Sequence, residues 1–148
     1  MIPHNKPTIG KEEVKAITKV LDSGNLVQGK EIESFENEFC DYLGFKRGHA
    51  IAVSSGSAAL YLSLWALDTK NKQVSFPAYV CPALDHAVKL ANANKKIIDI
   101  GKNTPNVGTK NIVNTEFTII PHMFGSPVDL SMCKFEKYIE DCSQALGA

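Results

Sequence analysis

A run of small polar residues, SSGS at 54–57, has the composition of an anion-binding turn. It lies between a short apolar stretch, Ala50–Val53, and residues with helical apolar spacing, so it is predicted to connect a strand to a helix. Free backbone N–H groups, hydroxyls and the helix dipole at such a turn favour a bound phosphate. The turn lacks GxGxxG spacing and a P-loop lysine, which disfavours a nucleoside triphosphate. The alternative is that Ser55 only caps the helix and Gly56 only fits the turn.

Asp141 is the second residue whose position suits chemistry. It ends the stretch YIED, residues 138–141, which predicts a strand with a carboxylate at its C-terminal end. In a doubly wound sheet, that end lies at the same edge as the 54–57 turn. Pyridoxal 5′-phosphate (PLP) fits both groups, because it carries a phosphate at one end and a protonated ring nitrogen at the other. Taken alone, Asp141 would be interpreted as a solvated acid at a strand end.

The elements that must position these residues alternate between helices and strands. Apolar spacing predicts helices within 11–24, 30–44, 54–67 and 81–94, the first two ending at Gly24 and Gly44. Short apolar runs predict strands at 50–53, 74–76, 96–100, 117–122 and 138–141. This alternation predicts an α/β fold, a three-layer α/β/α arrangement with a mostly parallel sheet.

Three local predictions complete the outline of the fold. Residues 101–114 are rich in Asn and Gly and are predicted to be mostly loop. Residues 123–136 leave room for only a short helix, because a parallel crossover needs about a dozen residues. Trp65 lies on the apolar face of its helix and is predicted to be in the core.

Charge and composition exclude several classes of function. Lys+Arg and Asp+Glu number 16 each, with a pI of about 6.9, so a nucleic-acid or anionic-membrane partner is not expected. The longest apolar stretch, 58–67, is too short to span a bilayer, and the N-terminal residues do not resemble a secretion signal, so we expect a cytoplasmic protein. No His or Cys has the spacing of a metal site, and the four cysteines are expected to be reduced and mostly buried.

Five motifs in order along the chain resemble the N-terminal half of the DegT/DnrJ/StrS family of PLP-dependent nucleotide-sugar aminotransferases. These enzymes have the aspartate-aminotransferase fold. The motifs are IPHNKPTIGKEEVKAITKVLDSGNLVQGKEIESFENEF, AVSSGSAALYLSLWAL, VSFPAYVCPAL, IIPHMFGSPVDL and IEDCSQALGA. Because they cover the chain almost from end to end, the resemblance is specific.

The resemblance assigns a role to each part of a PLP site. Gly56, Ser57 and Ala58 match the turn that binds the cofactor phosphate through backbone N–H groups and a hydroxyl. Asp141 matches the acid that keeps the pyridine nitrogen protonated, so that the ring can accept electrons from the substrate. Gln144 matches the side chain that contacts the region of the ring hydroxyl.

Other positions match the family less closely. Many relatives stack an aromatic residue on the ring, but the motif PAYVCPA aligns Cys81 there, and we favour Cys81 over Tyr79 for this contact. His122 matches a strand-end histidine and is interpreted as a hydrogen-bonded core residue. The loop NLVQG resembles one that reaches toward the active site in the dimer. It supplies the candidates for the substrate region, Asn25, Gln28 and Gly29.

Aminotransfer in the family also needs a lysine that forms a Schiff base with PLP and then moves a proton. In the family this lysine lies beyond the EDCSQALGA motif, so no catalytic residue is expected among residues 1–148. Lys15, Lys19 and Lys89 are interpreted as solvated helix residues. The resemblance therefore predicts that residues 1–148 are the N-terminal part of an incomplete PLP-transferase large domain, without its C-terminal half.

Three functions stay open at this point. The leading one is transfer of an amino group from an amino acid such as glutamate to a nucleotide-linked keto sugar, with the chain acting as one half of a split or truncated enzyme. The others are a PLP-dependent sugar dehydratase, in which a histidine replaces the lysine, and a noncatalytic remnant or partner-binding subunit. The expected partner is a complementing C-terminal polypeptide or a second copy in a homodimer, since a parallel sheet normally has its edges covered.

Overall fold

The computed structural model describes residues 6–108, 116–131 and 137–148. Parts of the predicted loop 101–114, part of the segment 123–136, and Cys133 lie outside these residues. The chain divides into two compact units, Met1–Ala52 and Val53–Ala148, and each is described by itself. None of the helices in the described ranges has both the length and the hydropathy needed to cross a membrane.

The first unit contains two helices, α1 at Lys11–Ser23 and α2 at Lys30–Leu43. Both end at the predicted glycines: Gly24 and Gly44 adopt left-handed conformations with φ of 67° and 72°. Glycine suits these caps because it has no Cβ to clash in that conformation. The two predicted helices and their ends are therefore confirmed.

The apolar faces of the first unit remain largely exposed. Helix α1 buries no residue, and Val14, Ile17 and Leu21 along its apolar face are each about 60% exposed. In α2 only Cys40 is buried. A salt bridge of 2.9 Å joins Lys19 of α1 to Glu31 of α2.

The second unit is built on a four-stranded sheet in which all strands are parallel. Its strands are β1 at Gln73–Pro77, β2 at Asn94–Ile98, β3 at Phe117–Pro121 and β4 at Lys137–Asp141, in the spatial order β2-β1-β3-β4. Helix α3 at Gly56–Ala66 precedes β1, and helix α4 at Ala83–Leu90 connects β1 to β2. The predicted α/β class with a parallel sheet is confirmed.

The core of this unit lies between the sheet and helices α3 and α4. All five residues of β3 are buried, as expected for a central strand of a parallel sheet. The main apolar cluster contains Leu60, Leu64, Val74, Phe76, Leu84, Ala87, Val88, Phe117 and Ile119. Two buried hydroxyls, of Ser75 and Thr118, lie 2.9 Å apart and join β1 to β3 within this core.

Two sequence predictions about residues 50–67 are wrong. Residues 50–53 form no strand, because no segment in the described ranges pairs with them. The Ala52 N–H donates instead to Glu36 Oε1 at 2.7 Å, and Ile51 is 81% exposed. Trp65 is 69% exposed and not in the core, because α3 is apolar on all sides and its apolar spacing does not select the side that packs.

Two smaller differences concern β2 and the cysteines. Strand β2 begins at Asn94, two residues before the predicted start, because its pairing with β1 includes the polar residues Asn94 and Lys95. Of the three cysteines in the described ranges, Cys40 is buried, Cys142 is half-buried and Cys81 is exposed, and all three are free thiols. The expectation that most cysteines are buried therefore fails for Cys81.

Candidate functional site

A small cleft lies at the C-terminal edge of the sheet, where β1, β3 and β4 end. Because the strands are parallel, the segments that follow them meet at one edge. Three of the predicted site residues line the cleft. Cys81 follows β1, Asp141 is the last residue of β4, and Gln144 follows β4. The remaining lining residues are Val80, Leu84, Pro121, His122, Met123 and Ser143.

The cleft has a volume of about 40 Å³. Pockets for small ligands typically have volumes of roughly 300 Å³ or more. The described residues therefore form one wall of a ligand site and do not enclose a ligand the size of PLP.

Asp141 is held by the backbone around it. Its Oδ1 accepts a hydrogen bond from the Ser143 N–H at 3.1 Å. Its carbonyl oxygen accepts from the His122 N–H at 3.1 Å, which extends the pairing of β3 and β4 by one residue. The carboxylate is thus fixed at the end of β4 by the same turn that carries Gln144.

Gln144 has a defined amide orientation. The Phe124 N–H lies 2.8 Å from Oε1 of Gln144, and an N–H donor must face the amide oxygen rather than the NH2 group. The NH2 group is therefore the end of the amide left for a ligand. Phe124 makes this contact from a left-handed conformation, with φ of 56° and ψ of 34°.

The two candidates for the ring contact differ in position. Cys81 is exposed and lines the cleft, whereas Tyr79 is not among the lining residues. The Tyr79 ring instead packs near the Phe124 ring, with centroids 6.3 Å apart and planes inclined by 46°.

His122 is a buried, fully hydrogen-bonded residue, as predicted. Its side chain is only 4% exposed, and Nδ1 accepts a hydrogen bond from the Val128 N–H at 2.9 Å. Because Nδ1 is an acceptor, the proton of the neutral ring lies on Nε2, which donates to Glu140 Oε2 at 3.1 Å. This pair holds the loop after β3 against β4.

His122, Glu140 and Cys142 place three potential metal-ligand atoms within 4.8 Å of one another. The hydrogen bonds oppose metal binding, because a metal on Nε2 would require both ring nitrogens to act as acceptors. Burial, followed by the charges of Glu140 and Asp141, raises the pKa of the Cys142 thiol. The thiolate that a metal prefers is therefore disfavoured.

The predicted phosphate turn forms the start of α3. Ser55 is the N-cap of this helix, and its Oγ accepts from the Ala58 N–H at 3.2 Å. Gly56 and Ser57 are exposed at the first two helical positions, where N–H groups have no acceptor within the helix. Gly56, Ser57 and Ala58 are not among the residues that line the cleft.

The candidates for the substrate region lie in the first unit. Asn25 and Gly29 line an open groove of about 660 Å³ beside α1 and α2, whereas Gln28 does not line it. The Nδ2 atom of Asn25 lies 3.0 Å from the place where a Cβ on Gly29 would be, so the two residues pack closely.

Sequence reasoning missed two contributors to the cleft, Phe124 and Asn106. The contribution of Phe124 is its backbone N–H, which carries no residue-type signal. Asn106 is 3% exposed and holds the turn that contains Phe124, but it lies in a segment predicted only as loop. The one available signal was its position after Pro105, in a stretch of turn-forming residues.

Comparison with known families and structures gives consistent matches. Residues 7–148 match the family described as the DegT/DnrJ/EryC1/StrS aminotransferase family. An aminotransferase, TlmJ, from Streptoalloteichus hindustanus is 24% identical with a TM-score of 0.86, and the match covers 99% of this chain and 43% of that one.

Two further structures match in the same way. A GDP-4-keto-6-deoxymannose-3-dehydratase with a trapped PLP-glutamate geminal diamine has 24% identity and a TM-score of 0.86, over 99% of this chain and 42% of that one. A sugar aminotransferase from Streptococcus pneumoniae in its PMP form has 23% identity and a TM-score of 0.80, over 88% and 34%. The chain therefore spans less than half the length of these structural relatives, which share its fold.

Proposed function

The chain belongs to the DegT/DnrJ/EryC1/StrS aminotransferase family, and on that premise we propose that it forms part of a PLP-dependent sugar aminotransferase. Residues 1–148 would be the N-terminal part of the large domain. The reaction would move an amino group from an amino acid such as glutamate to a nucleotide-linked keto sugar. The observation that carries the proposal is the convergence of Cys81, Asp141 and Gln144, from two separate strand ends, on one cleft.

Each residue in the cleft has a group suited to one part of the cofactor. Asp141 would pair with the ring nitrogen and keep it protonated, because a nearby carboxylate favours the cationic form. The NH2 of Gln144, for which the described residues supply no partner, would donate to the ring oxygen, and Cys81 would pack against the ring face. Bound PLP would supply an electron sink for reaction at the substrate carbon.

The start of α3 has the properties needed for a phosphate. In an α/β unit, a helix runs antiparallel to the strand that follows it, which directs the N-terminus of α3 toward the edge where β1 ends. Apart from its chain neighbours and the backbone of its own helix, no described atom lies within 4 Å of the position where a Cβ on Gly56 would be, so a ligand can approach the backbone there. The N–H groups of Gly56 and Ser57 and the helix dipole favour an anion.

Catalysis would require more of the enzyme than residues 1–148. The cleft is open, and the matched structures are more than twice as long as this chain. We propose that the lysine that moves the proton, and the residues that read the sugar, come from the remaining part of the enzyme. That part would complete the site, in an assembly that also forms the family dimer.

The direct test measures the role of Asp141. Pyridoxamine 5′-phosphate is the suitable probe, because it has no aldehyde and does not react with surface lysines. Titration of the chain, followed by absorbance, should give weak binding that Asp141→Asn reduces about tenfold, the loss typical of one charge-assisted hydrogen bond. Glu116→Gln, which removes a charge just before β3 at the opposite edge of the sheet, should leave the affinity unchanged.

A second measurement tests whether the lysine lies outside this chain. PLP is added, borohydride is used to trap any lysine adduct, and the chain is analysed by peptide mass spectrometry. We expect scattered, substoichiometric labelling. One lysine of this chain labelled in a one-to-one ratio would contradict the proposed division of the site, and equal probe binding by the Asp141→Asn variant would support a noncatalytic remnant.

A PLP-dependent sugar dehydratase is the second candidate. Its support is that one of the matched structures, which has the same fold over 99% of this chain, is a sugar dehydratase. The same wall of the cofactor site would serve both reactions. The remaining part of the enzyme distinguishes them, since in a dehydratase it would carry a histidine in place of the lysine.

A further inference from the structure

Asn106 is a buried polar residue that does not itself line the cleft. It lies in the loop between β2 and β3, and only 3% of it is exposed. Its Nδ2 donates to the Ser126 carbonyl at 2.6 Å, and its Oδ1 accepts from the Met123 N–H at 2.8 Å. The two ends of one amide therefore hold the two ends of a four-residue turn, Met123–Ser126.

The 123–126 turn needs such a restraint. Phe124 and Gly125 both adopt left-handed conformations, with φ of 56° and 75°. This conformation is unfavourable for Phe because of its Cβ, and the Phe124 side chain is 65% exposed, so burial of the ring does little to stabilise the turn. Hydrogen bonds hold the turn in place at both ends. Asn106 bonds to both ends, and the Ser126 N–H donates to the Met123 carbonyl at 3.0 Å.

The 123–126 turn sets the position of Gln144. The Phe124 N–H donates to Gln144 Oε1 at 2.8 Å, and a Cβ on Gly125 would lie 3.7 Å from the Gln144 carbonyl oxygen. The turn thus contacts the side chain of Gln144 and lies close to its backbone. If the Phe124 N–H moved away, the Gln144 amide would be free to rotate and present its oxygen to the cleft.

We propose that Asn106 is a positioning residue for the cofactor site. Through the 123–126 turn, it fixes the Gln144 amide so that only the NH2 group faces a ligand. A donor at this point selects a ligand whose ring oxygen is deprotonated. The inference rests on the proposed function, and it adds a specificity for the ionised ring oxygen.

The test compares variants by the pH dependence of their affinity for pyridoxamine 5′-phosphate. Asn106→Asp keeps the size of the side chain but replaces the donor that faces the Ser126 carbonyl. We expect about a tenfold loss of affinity at pH values where the ring oxygen is deprotonated, and little loss where it is protonated. Gln144→Glu should give the same pattern, and the double variant should lose no more than Gln144→Glu alone.

Asn94→Asp is the matched control. The Asn94 amide also donates to a backbone carbonyl, that of Asn71 at 2.9 Å, but Asn94 begins β2 at the opposite edge of the sheet. This variant should keep the affinity and its pH dependence. If Asn106→Asp does not fold, as judged by circular dichroism, Gly125→Ala replaces it. That substitution strains the same turn at a φ of 75° and should give the same pH-selective loss.

The outcomes separate this inference from the proposed function. An equal loss at all pH values, or additive losses for Asn106→Asp and Gln144→Glu, would show that Asn106 only stabilises the fold. If Asp141→Asn weakens binding and Asn106→Asp does not, this inference alone is overturned. Binding that is insensitive to both substitutions would overturn the proposed function and this inference together.

Discussion

Cys142 directly follows two carboxylates in the chain, Glu140 and Asp141, and this position has a measurable effect at the scale of a single residue. Its half-buried thiol has a raised pKa, caused first by burial and then by the charges of Glu140 and Asp141. Because the thiolate is the reactive form, the native thiol should react slowly with electrophiles.

Alkylation with iodoacetamide at pH 8 tests this expectation. Cys142 should react more slowly in the native chain than in urea, where the pKa of the thiol returns to its ordinary value. Peptide mass spectrometry gives the rate for each cysteine, and the buried Cys40 reports the integrity of the fold. Equal native and denatured rates at Cys142, with Cys40 protected, would contradict the prediction.

The residues of the cleft were predictable to different degrees. Asp141 could be found because strand ends carry ligands in α/β sheets, and Cys81 and Gln144 came from the family resemblance. Asn106 could not be found, because its role depends on how two loops meet in space. Phe124 could not be found either, since its N–H is common to every residue type except proline.

At the scale of elements, Asp85 joins α4 to β2. It forms ion pairs with Lys89, one turn later in α4, and with Lys95 in β2, where the Nζ to Oδ1 distance is 2.8 Å. Hydrogen bonds from these two lysines lower the pKa of Asp85 to about 2, from an ordinary value of 3.8. The folded state therefore favours the ionised carboxylate more than the unfolded state does.

The sign of the pH dependence follows from this lowered pKa. The contribution of Asp85 is present above the unfolded pKa of 3.8 and is lost as the pH falls toward about 2. We expect the thermal midpoint of Asp85→Asn to fall less than that of the wild-type chain between these pH values. This difference between the two chains should be smaller in high salt. Glu116→Gln is the control, and a wild-type slope in Asp85→Asn would contradict the prediction.

The helix ends give a second prediction at this scale. Gly44 ends α2 with a φ of 72°, and no atom lies near the place of its missing Cβ, so a side chain there meets backbone strain but no clash. Gly44→Ala should lower the free energy of unfolding by about 1–2 kcal/mol, measured by urea denaturation. Gly44→Asn should cost less.

A helical glycine provides the comparison for Gly44. Gly56 also has open space around it, but its φ is not positive, so Gly56→Ala should change the free energy of unfolding little. Similar losses in the alanine variants of Gly44 and Gly56 would show that loss of a glycine, and not the left-handed cap, is responsible.

These elements show which parts of a fold a sequence can predict. The ends of α1 and α2 were predictable because glycine caps act locally. Strand β2 was placed two residues late, since Asn94 and Lys95 are polar and only their pairing with β1 makes them part of the strand. Residues 50–53 have a strand-like composition, but a strand needs a neighbour, and neighbours are not encoded in a local pattern.

At the scale of the whole molecule, the exposed apolar face of α1 should make the chain associate. Val14, Ile17 and Leu21 are each about 60% exposed, and exposed patches of this kind favour contact with another surface. The paired substitution Ile17→Glu and Leu21→Lys replaces two apolar side chains with a new ion pair at helical spacing. It should weaken self-association about tenfold, measured by sedimentation velocity over a range of concentrations.

The control for this prediction is Lys15→Gln, which changes an exposed residue of α1 without removing apolar surface. It should associate like the wild-type chain. A chain that sediments as a monomer at every concentration, with or without the paired substitution, would contradict the prediction.

The open edge of β4 has a consequence for how a complete site would form. Within the described residues, β4 pairs only with β3, and Asp141 is its last residue. A polypeptide that adds a strand there would immobilise the backbone that carries the carboxylate. Binding of the ligand and addition of that strand would then be thermodynamically linked: each would strengthen the other by the same factor, and the supply of small molecule would shift the amount of complex formed.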